Sequence, residues 1–96
     1  MLIVKKFGGS SVADRERIYN VAKRCIEDYR KGHDVVVVLS AMGDTTDDLI
    51  ALAQSINPEP KKRELDMLMT TGEQVSVSLM AMAMHAMDVP AVSLNA

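Results

Sequence analysis

The chain has 96 residues, 48% of them hydrophobic, with eleven lysines and arginines, thirteen aspartates and glutamates, and a net charge of −2. That length holds one small domain, and that composition excludes a disordered chain. Interspersed charges and only three aromatic residues exclude the basic stripe or stacking platform of a nucleic-acid binder.

The first stretch, Leu2 to Phe7, is short, β-branched at Ile3 and Val4, and ends at Gly8-Gly9, which predicts a strand. The turn that follows, "KFGGSS" from Lys6 to Ser11, has two readings. It is a tight strand-to-helix turn with an ordinary cap, or it is a phosphate cradle. Glycine lets backbone approach a ligand closely, amides at a helix start bind anions, and a lysine adds a point charge. It is neither GxxxxGK[ST] nor GxGxxG.

From Val12 to Lys31 the apolar residues Ile18, Val21, Ala22, Cys25, Ile26 and Tyr29 recur at steps of three and four, which predicts a helix. Ser10 or Ser11 is the expected cap, Asp14 and Glu16 fall in the first turns, and Gly32 follows the end. Cys25, the only cysteine, is expected as a buried thiol, and no internal disulfide is possible. "DVVVVLSA" is a continuous apolar run, which predicts a strand covered on both faces and parallel to the first. A right-handed crossover joins the two.

Asp44 to Ser55 reads as a second helix, stopped by Asn57-Pro58. Its entry, "SAMGDTT", again admits two readings. Asp44, Thr45 or Thr46 caps the helix, or Ser40 and Thr46 point into a cleft and hold a carboxylate or phosphoryl group. Pro60 starts a third helix that breaks at Thr70-Thr71-Gly72, and a fourth runs from Glu73 to Met87. Glu73 then sits in a first turn, where its charge is stabilised and can face an ammonium group; otherwise it is a solvated glutamate. Val89 to Leu94 reads as a third strand. Six of the eight methionines fall in the last third, where core packing is the expected role. His33 and His85 form no motif and are expected in surface or packing roles.

The order predicts an α/β fold with three parallel strands, in which ligands sit beyond the carboxyl ends of the strands. Only Met1 to Val4 precede Lys5-Lys6, too few for a signal peptide's apolar region. No apolar run approaches the roughly 20 residues of a membrane span. A soluble, cytoplasmic chain with no membrane or nucleic-acid partner is expected.

Together, "VKKFGGSSV", "VVVVLSAMGDTTDDLIALA" and "RELDMLMTTGEQVSVSLMAMAM" resemble the opening of the aspartate kinases, in the amino-acid-kinase superfamily. The resemblance implies a three-layer sandwich with a mostly parallel sheet, of which residues 1–96 form the amino-terminal portion. It implies ATP-dependent phosphorylation of the β-carboxylate of L-aspartate, the first step of lysine, threonine and methionine biosynthesis. ATP and Mg²⁺ are the implied cofactors. By resemblance Lys6 is catalytic and Lys6, Phe7, Gly8 and Gly9 face the ATP phosphates. Ser40, Thr46 and Glu73 match the substrate-binding residues, and no protein residue is a metal ligand. By the same resemblance, the rest of the kinase domain, including an arginine, an aspartate and the base pocket, and the regulatory ACT domains are expected to lie outside these 96 residues. Alone, the piece is expected to turn over little aspartate and to self-associate, or form a homo-oligomer, through an exposed sheet edge. The alternatives are a related kinase acting on acetylglutamate, glutamate, carbamate or UMP, and a non-catalytic phosphate-binding or self-associating α/β module.

Overall fold

The computed structural model describes residues 1–94. Strands β1 (Leu2–Phe7) and β2 (Asp34–Leu39) are parallel neighbours, with Leu2 opposite Asp34 and Phe7 opposite Leu39. Helices α1 (Arg15–Arg30), α2 (Thr45–Ile56) and α3 (Lys62–Ala86) complete the fold, with a 3-10 turn at Gly9–Val12. Among the described residues no helix is long and apolar enough to cross a membrane.

Helix α1 starts later than expected because its cap is Asp14, whose carboxylate accepts from the Arg17 amide at 2.9 Å. Ser10 and Ser11 fall in the 3-10 turn instead. That turn is tied down by Arg17, whose guanidinium donates to the Ser10 carbonyl at 2.6 Å. The other end of α1 closes as a Schellman motif. The Gly32 amide bonds the Tyr29 carbonyl and the His33 amide the Asp28 carbonyl, with Gly32 at φ +93. The same closure ends α3, but there the left-handed residue is Asp88, at φ 59.

The core is one cluster. Ile18, Val21, Ala22, Cys25 and Ile26 of α1 meet Met80, Ala83 and Met84 of α3 over Leu39, with Phe7, Val35 and Val37 packed alongside. The methionines divide: Met80 and Met84 are buried, whereas Met67 and Met82 are exposed.

Three expectations fail for physical reasons. The long apolar run of β2 is covered on one face only: Val36 and Val38, with Leu2 and Val4 of β1, lie exposed on the other. The expected break at Thr70-Thr71-Gly72 is absent, and α3 runs straight through it. Both threonine hydroxyls fold back onto carbonyls of their own helix, Met67 and Leu68, at 2.8 and 2.6 Å. Glu73 therefore sits in mid-helix, well past the start of its own helix, and not in a first turn. Lastly, Val89 to Leu94 forms no strand. Pro90 has no amide to offer a ladder, and the Ala91 carbonyl is engaged by His85 Nε2 at 2.8 Å.

Candidate functional site

Two of the motifs meet directly beyond the carboxyl ends of the strands. The Ser40 amide donates to the Phe7 carbonyl at 3.2 Å, and the Gly43 amide to the Gly9 carbonyl at 3.0 Å. The approach needs glycine. A Cβ on Gly9 would stand 2.7 Å from the Ala41 carbonyl oxygen, well inside contact distance. Gly43 itself adopts φ +46, a left-handed conformation that suits a residue without Cβ.

The third motif arrives from α3. Gly72 is buried, and a Cβ there would lie 2.9 Å from the Ala41 Cβ and 3.4 Å from Thr45 Cγ2. The helix thus passes the end of β2 at Gly72. Glu73, the next residue, is exposed and lies one turn before Val77, which packs against the core.

The predicted site residues are distributed as follows. Lys6 is exposed on the bare face of the sheet, opposite the face that carries α1 and α3. The Phe7 side chain packs against the core and its carbonyl accepts from the Ser40 amide. Gly8 is exposed, with nothing within 4 Å of where a Cβ would project. Ser40 and Thr46 are half-buried in the second loop and the first turn of α2. Neither Gly8 at the 3-10 turn nor Asp44 at α2 gives a side-chain cap bond, and α1 takes its ordinary cap from Asp14 rather than from Ser10 or Ser11. Neither start gives its amides a side-chain acceptor, although Thr45, the first residue of α2, already donates its amide to the Met42 carbonyl at 2.9 Å. Contact at the level of backbone and Cβ joins the three motifs, and no ion pair among the described residues joins Lys6 to Glu73.

The adjacent lysines have different electrostatics. Lys5 lies under α1 and forms an ion pair with Asp28. That hydrogen bond holds the Asp28 carboxyl below the usual carboxylate range and raises the Lys5 ammonium. Burial raises the Cys25 thiol. An apolar hollow of about 490 Å³ opens between α1, β2, α3 and the tail, lined among others by Cys25, Val37, Met80 and Ala91. It contains none of the predicted site residues.

Sequence reasoning passed over Ala41 and took Gly72 only as part of a helix break. The available signal was a glycine at a periodic position inside a helical stretch, which tertiary packing has to explain.

The chain matches the model of the "Amino acid kinase family" over residues 1–96. It is 59% identical over 94 residues to the aspartokinase of Geobacillus stearothermophilus, covering 98% of this chain and 23% of that protein. To the aspartokinase of Thermus thermophilus it is 59% identical over 90 residues, covering 94% of this chain and 22% of that one. The crystal structure of the aspartate kinase from Synechocystis superposes with a TM-score of 0.96 at 53% identity, over 98% of this chain and 16% of that chain. The chain therefore spans less than a quarter of the length of these relatives.

Proposed function

Because the chain belongs to the amino acid kinase family, we propose that it is the part of an aspartate kinase that carries the phosphate-facing turn and the acceptor-binding residues. One observation supports this reading above the others. Three motifs, far apart in sequence, meet around Ala41 at the carboxyl end of a parallel strand pair, where α/β folds hold ligands.

In this reading the amides of Gly8 and Gly9 hold nucleotide phosphates, with the ε-ammonium of Lys6 on the open sheet face as the point charge. The fit rests on the open space at Gly8 and the uncapped turn behind it. Glu73 pairs with the α-ammonium of L-aspartate. Ser40 and Thr46 orient the substrate's carboxylates. An oxygen of the β-carboxylate attacks the γ-phosphorus of ATP, the bond to the β,γ-bridging oxygen breaks, and ADP leaves with aspartyl phosphate formed. Such a transfer depends on positioning and on offsetting charge over the moving oxygens. Mg²⁺ bound with the nucleotide would add to that offset. Use of ATP makes the cytosol the expected compartment.

The test is aspartate-dependent ADP release by the full-length polypeptide that carries this segment. Glu73→Gln keeps the shape and removes the charge. It is expected to raise KM for aspartate about 10- to 100-fold, the loss of one charged hydrogen bond. A wild-type polypeptide that releases no ADP in response to aspartate would sink the reading. For the 96-residue chain by itself, the apolar sheet face at Leu2, Val4, Val36 and Val38 supports self-association with little turnover. Gel filtration showing a monomer with sizeable turnover would refute that.

A further inference from the structure

Helix α3 carries a glycine at its centre, although glycine is the poorest helix former after proline. Its surroundings account for it. Gly72 is buried against Ala41, Thr45 and Leu49, and a methyl group there would stand 2.9 Å from the Ala41 methyl. Ser76, one turn on, is 0% exposed and continues the row of small residues. Ala41 cannot yield. It is only 5% exposed, and its carbonyl oxygen already stands where Gly9 tolerates no Cβ.

We infer that Gly72 is a positioning residue for the acceptor side of the site, because its missing side chain sets how closely Glu73 approaches the loop bearing Ser40 and Thr46. The inference rests on the functional reading above. The residues it touches flank the acceptor-binding positions: Ala41 follows Ser40, and Thr45 precedes Thr46. The phosphate-facing turn meets Ala41 through its carbonyl oxygen, and Gly72 meets it through its methyl. A methyl at residue 72 would therefore push α3 away from the loop and displace the carboxylate of Glu73. The nucleotide turn would stay in place.

The experiment compares the full-length wild type with Gly72→Ala and with Gly72→Ala combined with Ala41→Gly, which removes the opposing methyl. Each is measured for aspartate kinetics, ATP kinetics and melting temperature. Gly72→Ala is expected to lower kcat/KM for aspartate about 10- to 100-fold, the scale of a small misplacement of reacting groups. KM for ATP should stay within about twofold. The double variant should recover most of the loss. Wild-type aspartate kinetics in Gly72→Ala, equal losses on both substrates, or no recovery in a folded double variant would overturn the inference. A wild type without aspartate turnover, together with a melting loss in Gly72→Ala that Ala41→Gly reverses, would sink the acceptor reading. It would leave Gly72 a packing residue only, and so overturn this inference by a different and recognisable route.

Discussion

Lys5 and Lys6 carry the same charge on consecutive residues of β1, yet Lys5 lies under α1 bonded to Asp28 while Lys6 stands on the bare face of the sheet. The two-residue period of a strand makes this division. The lysine facing the helices has its charge committed to an internal partner, and the lysine facing away keeps its charge for something outside. The comparison separates stability from chemistry within two residues, and mutation can test each half.

The largest effect is expected at Lys6. In the full-length polypeptide, Lys6→Ala should lower kcat about 10²- to 10³-fold, the scale of losing one preorganised charge-stabilising group, with melting temperature unchanged. Lys5→Ala should do the reverse, lowering the melting temperature and leaving kcat close to wild type. The opposite ranking would break the comparison.

A smaller effect concerns pH. Asp28 has a depressed carboxyl, so its contribution to stability is present above its unfolded value, near pH 4, and is lost as pH falls through the folded one. Lys5 is raised, so its contribution is present below its unfolded value of about 10.4 and is lost as pH rises beyond it. Between those limits the pair should give a plateau. Asp28→Asn should lower that plateau and flatten the acid limb in denaturant titrations read against pH. An acid limb unchanged by Asp28→Asn would show the pair to be idle.

The smallest change lies far from both lysines. Asp88 holds the left-handed position that closes α3, where Gly32 serves α1. Asp88→Gly should raise stability by up to about 1 kcal/mol, seen as a higher urea midpoint. A fall would mean that the aspartate side chain contributes more than its backbone conformation costs.

Local pattern made much of this legible in advance. The bounds of β1, the apolar row of α1 and the glycine that ends it follow from residues within one or two turns of each other. What escaped was set by distant partners. Nothing near Val36 reveals whether a helix covers it. Thr70 and Thr71 resemble a break until their hydroxyls are seen to bond within the helix, and Val89 to Leu94 has strand composition without a ladder. The candidate site divides the same way. The three motifs were visible as turns of glycine and hydroxyl residues. Their meeting around Ala41 was not, because Ala41 has no polar group or charge in its side chain to attract notice and matters only through how small it is.

The single thiol of the chain, Cys25, is 2% exposed beneath the sheet. Burial and its raised pKa both slow attack by a disulfide reagent, since the thiolate is the nucleophile. The molecule therefore has a native clock: the rate at which such a reagent colours the solution counts how often the packing around Cys25 opens, at α1 or at the hollow beside it, with no label introduced.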